Sequence, residues 1–397
     1  MWFLRTKIDS VQAFYVNSLL RSLYMTLTTI YVPIFLYLKG NEVWGQARYG
    51  LLLVIAFFAI QRLMIMLGLF PLSKMIERMG FRKSISLSVI FLMGYTGSLL
   101  LANSNVWWLL GATICGSIQI TLYWLSRDSA LSQDIKFGMM GSRMGYIGVL
   151  ENIAGLLGPF VGGVIVAVYG YSTLFVVALI VLAMSAIPLW WMPPHSHKNG
   201  VSFAGLWYFL SDGRYVHQAL ASFSTAMNDY GNGVIWPLIL FIQGIRDEKM
   251  GAVYSMAAVV TIVIQYLAGS WFDKLRSRKD YSDEGVFGIA SVGLSIAWIV
   301  RMFVSSFMQV VSIDLGRQLF NAVYANFFTD YTHLGGKRMG SIAFWVYMQA
   351  VYTMGVIFIL GVMAIGVYFD IWKELVLITI ALWSLGSILV ARESNMR

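Results

Sequence analysis

The sequence predicts an all-α membrane protein, with twelve transmembrane helices forming two pseudo-symmetric six-helix bundles. Three observations predict this. Apolar segments of about 20 residues, the length that crosses a bilayer, recur along the whole chain. Basic residues gather in alternate connections between them. The second half of the chain also repeats the polar punctuation of the first.

Composition sets the frame. Hydrophobic residues make up 58% of the 397 and charged residues 12%, and mean hydropathy is +0.71. A soluble chain of this length could not hide so much apolar surface, so lipid must serve as solvent over much of it. The single cysteine, Cys115, allows no disulfide framework and no cysteine metal site. His195 and His197 lie two apart beside Pro193 and Pro194, which is not the spacing of a helix-borne metal pair. No metal, no cofactor and no enzymatic activity are expected. No cleavable signal peptide is expected either, because the first apolar run is long and lacks a small-residue cleavage site.

The spans fall, in order, at 12–38, 48–71, 83–103, 105–127, 143–168, 171–192, 214–243, 249–272, 285–305, 307–329, 339–368 and 370–391. Spans 3 and 4 are separated only by the turn at Asn103, Ser104 and Asn105. An even number of spans puts both termini on one side. Connections on that side carry nineteen basic residues and the opposite ones five; Arg21, Arg62, Arg301 and Arg317 fall inside spans. This bias places both termini in the cytoplasm. It also explains the net charge of +9 as a topology signal, so nucleic acid is not an expected partner.

The longest polar connection is central. It divides the chain into an N-terminal bundle, 1–194, a cytoplasmic linker, 195–213, and a C-terminal bundle, 214–397. The bundles echo each other. "YVPIFLYLKG" at 31–40 closes span 1 and "IWPLILFIQG" at 235–244 closes span 7, matching Pro33 to Pro237, Leu36 to Leu240 and Gly40 to Gly244. "SKMIERMGFRK" at 73–83 returns half a chain later as "GSWFDKLRSRK" at 269–279, each copy with five charges in eleven residues. A repeat of six spans points to a transporter, with its site between the halves.

These motifs resemble those of the major facilitator superfamily. Glu77, Arg78, Gly80, Arg82 and Lys83 fill its cytoplasmic loop motif, with Ser73 at the position where glycine is usual. Asp273, Lys274, Arg278 and Lys279 fill the second copy, where Arg276 replaces the glycine. "GPFVGG" at 158–163 resembles the glycine–proline motif of the family's fifth helix. The resemblance implies two bundles that rock about a central site lined by spans 1, 4, 7 and 10. The loop motifs would then act as latches between arrangements while meeting anionic lipid headgroups. One departure stands out: Ala112, four residues before Gly116, occupies the place of an arginine found in many drug–proton antiporters of the family.

Polar residues inside spans are costly and mark cavities or helix contacts. Span 1 carries a stripe of Asn17, Arg21, Tyr24, Thr28 and Tyr31, spaced to share one helix face. Span 7 carries Ser222, Thr225, Asp229, Asn232 and Trp236; span 10 carries Asp314, Arg317, Asn321 and Tyr324; span 4 carries Gln119, Tyr123 and Ser126. Each stripe is either cavity lining or interhelical glue, and four of them on symmetry-related spans favour a cavity. Asp229 has no base at helical spacing in its own span and is the candidate proton carrier, with Arg317 across the cavity to pair with it. Glu151 is the second carrier candidate, on the small-residue face of span 5 with Gly155, Gly158, Pro159, Gly162 and Gly163 nearby; Arg62 or Arg21 could balance it, or bind an anionic group of the substrate. Asp314 reads as structural, paired with Arg317 or with Arg301. Aromatic residues near these faces (Tyr24, Tyr123, Trp124, Trp236, Trp345 and Tyr352) suit a ring-bearing cargo or ordinary membrane packing.

The expected function is secondary active transport of a small organic or amphiphilic solute by alternating access. Protons are the expected coupling ion, since no Gly-x4-Gly-Lys-Ser/Thr nucleotide loop is present. The other reading is a transporter-like receptor or scaffold that binds without cycling. A monomer in a prokaryotic inner membrane is expected, in contact with lipids and a small-molecule substrate.

Overall fold

The computed structural model describes residues 10–134, 140–191, 200–276, 283–339 and 341–386. Among these the structure is helical throughout, with no strand. The first half comprises α1 (Ser10–Thr28), α2 (Val32–Trp44), α3 (Ala47–Met79), α4 (Phe81–Leu101), α5 (Trp108–Asp134) and α6 (Met140–Ala186), followed by a 3-10 turn, Ile187–Trp191. A short linker helix, α7 (Phe203–Ser211), leads to the second half: α8 (Gly213–Tyr230), a π-helical segment Gly231–Ile235, α9 (Trp236–Ile242), α10 (Asp247–Arg276), α11 (Asp283–Val300), α12 (Phe307–Met339), α13 (Ser341–Phe369) and α14 (Trp372–Gly386).

Every predicted span has a helical counterpart. Spans 5 and 6 run together as α6, which leaves helical geometry only at Gly170, φ 81°. Among the described residues, six helical stretches are long and apolar enough to cross a membrane: Tyr15–Trp44, Ala47–Met79, Phe81–Leu101, Trp108–Ala130, Gly148–Leu189 and Ile342–Phe369. Five of the six lie in the first half. The second half places more charge and polarity within its helices, including Asp229, Arg301, Asp314 and Arg317.

Spans 1 and 7 both break, and for the same reason. Proline has no N–H to give the carbonyl four residues back, and its ring crowds that carbonyl. Pro33 sits at the start of α2, and α1 stops at Thr28. Pro237 sits at the start of α9, directly after the π-helical segment. The two breaks adjoin: the Thr29 methyl lies 3.6 Å from where a Cβ on Gly233 would stand. The repeat read from the sequence is therefore also a repeat of backbone irregularity.

The loop motif's glycine has a clear local cause. Gly80 joins α3 to α4 alone, with φ 82° and ψ 161°, a conformation open essentially to glycine only. The equivalent Arg276 is the last residue of α10.

The two halves meet through small residues at the end of the molecule away from Gly80. A Cβ on Gly163 would stand 2.6 Å from the Asp247 carbonyl, and one on Gly251 would overlap the Pro159 carbonyl. Tyr31 Oη donates to that same Pro159 carbonyl at 2.5 Å, and Tyr171 Oη donates to Asp247 Oδ1 at 3.1 Å. At the Gly80 end, Trp345 Nε1 on α13 donates to Ser132 Oγ on α5 at 2.9 Å. Ile65, Leu69 and Ile76 of α3 pack there with Phe344 and Met348 of α13. Both ends of the seam between the halves are thus in contact.

Candidate functional site

Asp229 stands in the last turn of α8, just before the π-helical segment. Its side chain is exposed, although α3, α12 and α13 all bring groups to it. Tyr352 Oη on α13 donates to Asp229 Oδ2 at 3.1 Å. Arg62 on α3 and Arg317 on α12 are the two cations whose charge acts on it. Both are buried, at 7% and 6% exposure. The carboxylate is therefore accessible while buried cations from both halves act on it, at the seam between them.

The two arginines are held differently. Arg62 Nε donates to Tyr230 Oη at 3.0 Å, and its guanidinium lies 4.8 Å from the Tyr230 ring centre and 5.7 Å from that of Tyr352. Arg317 Nε is buried with no hydrogen-bond partner among the described residues. Burying a charged donor without a partner is expensive, so this arginine is kept against a cost in stability.

The remaining intramembrane charges are settled elsewhere. Arg301 Nε donates to Asp314 Oδ1 at 3.2 Å, and a second guanidinium nitrogen binds the same oxygen. Trp236 Nε1 donates to Asp314 Oδ2 at 3.0 Å. The Arg301 guanidinium lies 4.3 Å from the ring centres of both Trp236 and Trp298 and donates to Asn232 Oδ1 at 2.9 Å. Of the two partners expected for Asp314, the structure selects Arg301. Asn232, expected at the cavity, spends its side chain on this network and on the Asn228 carbonyl.

Glu151 has a partner that the sequence did not suggest. Arg127, read as a connection residue, is 8% exposed and pairs with Glu151 Oε1 at 2.6 Å. Neither Arg62 nor Arg21 balances it, which corrects that expectation. Arg127 was hidden by its position at the edge of an apolar run.

The polar stripes meet in pairs. Arg21 donates to Gln119 Oε1 at 2.7 Å and to Ser88 Oγ at 3.4 Å, and lies 3.4 Å from the Tyr123 ring centre. Tyr24 Oη bonds Thr96 Oγ1 at 2.7 Å, Thr28 Oγ1 donates to the Tyr24 carbonyl at 2.9 Å, and Asn17 donates to the Ser185 carbonyl at 2.7 Å. Arg21 thus ties stripe 1 to stripe 4 within the first half, while Tyr24 and Asn17 reach spans 3 and 6. Stripe 7 faces stripe 10 in the same way, through Thr225–Tyr324 at 2.8 Å and Trp236–Asp314. The structure brings Arg62, Asp229 and Arg317 together. It holds Arg21, Tyr24, Thr28, Gln119 and Tyr123 in a separate network, in contacts that glue helices. Asn321 is half-buried, one turn beyond Arg317 on α12.

The α6 glycines sit at close approaches. Gly158 and Gly162 face Thr26, Leu27 and Tyr31, and Gly155 lies 3.6 Å, at Cβ level, from Ala258 of α10. In the first loop motif Glu77 is half-buried with one oxygen unpartnered among the described residues, and Arg78 and Lys83 are exposed. An open groove of about 550 Å³ is lined there by Met79, Arg82, Lys83, Ser86, Leu87, Ile90 and Leu189. Asp273 and Lys274 fall on α10, with side chains outside the described residues. Arg278 and Lys279 also lie outside them.

Long apolar helices packed with charged residues between them define a multi-pass membrane protein. The model of the Major Facilitator Superfamily matches residues 18–348, and the chain belongs to that family. No curated protein sequence matches it. Solved structures resemble it along its length, among them three transporters. The human organic anion transporter MFSD10 (TETRAN) is 15% identical, with a TM-score of 0.67, covering 97% of this chain and 99% of its own. The E. coli fucose:proton symporter FucP is 13% identical, with a TM-score of 0.65, covering 98% and 99%. A POT peptide transporter is 10% identical, with a TM-score of 0.71, covering 97% and 94%. At these identities the likeness is one of fold.

Proposed function

We propose that the chain is a proton-coupled secondary transporter that moves a small organic solute by alternating access. Its twelve spans would form the bundles 1–194 and 214–397, joined by the linker 195–213, with both termini in the cytoplasm of a prokaryotic cell. Family membership supports transport, and the excess of basic residues in alternate connections supports the orientation. Asp229 carries the mechanism: an exposed carboxylate deep in the seam, acted on by one cation from each half.

The cycle follows from charge. Ionised, Asp229 draws Arg62 of the first half and Arg317 of the second toward one point and holds the seam together. Protonation removes that attraction and frees both guanidinium groups. Contacts at the two ends of the seam would then open alternately around the fixed centre. The loop motifs would brace the Gly80 end in one arrangement and contact lipid headgroups in the other.

Reconstituted vesicles test the proposal. Uptake should follow an imposed pH gradient, and Asp229→Asn should abolish that response while exchange of solute down its own gradient continues. Unchanged pH dependence in the variant would remove Asp229 as the coupling group. Binding without any flux would favour the receptor reading.

A further inference from the structure

The pairing of charges narrows the cargo, given the transporter reading above. Arg301 is closed by Asp314 and Arg127 by Glu151. Arg21 is held by the neutral Gln119 and Ser88 within the first half. Among the described residues this leaves two cations at the seam, Arg62 and Arg317, acting on one anion, Asp229. Each guanidinium carries five N–H donors. Arg62 gives one of them to a protein acceptor, at Tyr230, and Arg317 gives none among the described residues. Two planar forks with most of their donors unspent among the described residues therefore flank the exposed Asp229 carboxylate.

We propose that this site binds a solute carrying a single carboxylate group, held by Arg62 and Arg317, and that it binds together with one proton on Asp229. A planar carboxylate accepts two parallel N–H bonds from a guanidinium, a match that ammonium or hydroxyl groups cannot make. A cationic solute would face two arginines with only one carboxylate to receive it. A neutral solute would leave the donors of Arg317 unanswered. The charge balance favours a monoanion. The empty site, with Asp229 ionised, carries one net positive charge. Loading one proton and one carboxylate adds and subtracts a charge, so the loaded site carries the same net charge as the empty one. Neither form then pays an extra electrostatic penalty for sitting in a low-dielectric seam. The rings of Tyr230 and Tyr352, which flank Arg62, offer a surface for the solute's apolar body.

Binding is measured on the purified full-length protein in lipid nanodiscs, separately from flux. The probes are monocarboxylates from acetate to octanoate and benzoate, with the matching primary amides, primary amines and phosphate monoesters. Carboxylates should raise the melting temperature, and more so as the pH falls. Arg317→Gln should weaken their binding by about 10- to 100-fold, the worth of a charge-assisted hydrogen-bonded pair. Asp229→Asn should bind them with no pH dependence. Arg62→Gln, which removes the second fork and leaves Arg317 in place, repeats the test if Arg317→Gln fails to fold. Preferential binding of amines, amides or phosphate monoesters would overturn the proposal, as would unchanged carboxylate affinity in both arginine variants or no carboxylate binding at all. Carboxylate binding without flux in vesicles would instead refute transport and leave the site standing.

Discussion

Asp314 and Asp229 are both carboxylates inside the second bundle, and the structure assigns them opposite roles. Asp314→Ala tests that assignment through stability. The Arg301 and Asp314 side chains are 1% and 5% exposed, so removing the carboxylate leaves a guanidinium buried without a counter-charge. Such a loss costs ~3–5 kcal/mol. The Trp236 indole N–H loses its acceptor as well, at ~1–3 kcal/mol. The two flanking tryptophans already face Arg301 with Asp314 in place, so they do not offset this loss. The net expectation is a loss of at least ~3–5 kcal/mol, large against the stability of most folded proteins. The double variant Arg301→Met/Asp314→Leu removes both charges and should recover much of that loss. The assay is thermal unfolding in detergent followed by tryptophan fluorescence, with the amount of protein in the membrane as a second readout. Asp229→Asn, at an exposed carboxylate, should unfold close to wild type. The reasoning is refuted if Asp314→Ala is as stable as wild type, or if the double variant is worse than the single one.

Other expectations follow from single contacts. Gly80→Ala places a side chain at φ 82°, ψ 161° and should cost ~1–3 kcal/mol in the same unfolding assay, while Lys83→Ala, at an exposed position, should cost little. Gly251→Ala adds a Cβ that overlaps the Pro159 carbonyl, so it should hold the far end of the seam apart and lower the melting temperature in the same assay. Asp247, at the start of α10 outside the spans, has its pKa raised above the usual carboxylate value, chiefly because burial penalises the charge. Its protonated form therefore suits the closed far end, and its contribution to stability is present at low pH and lost as pH rises through that raised value. Asp247→Asn should match wild type in acid and gain on it as pH rises, measured by melting temperature across pH; a constant difference would contradict this.

The sequence reading reached further on helices than on partners. Helical rods were legible because each must satisfy its own backbone within lipid and so needs a long apolar run. Pro33 and Pro237 were legible as a repeat, and the breaks they cause follow from a missing N–H. Stripe spacing showed which residues share a face, but not which neighbour that face meets. Arg21 and Tyr24 therefore looked like cavity lining, while their partners are Gln119, Ser88 and Thr96 within the same half. Arg127 was missed for a related reason: its partner Glu151 lies on another helix, and no spacing within one helix reports that. Arg62 carried no stripe, yet it reaches Tyr230 of the other half.

Relative movement of the two halves is the central claim, and the contact between α6 and α10 tests it most directly. A Cβ on Gly155 would stand 3.6 Å from that of Ala258, within the range a disulfide spans. Gly155→Cys/Ala258→Cys, made in a Cys115→Ala background, ties the first half to the second. Oxidation should stop both net uptake and exchange of the tightest-binding carboxylate in vesicles, leave its binding intact, and be reversed by reductant. Full transport by the oxidised, cross-linked protein would contradict the account.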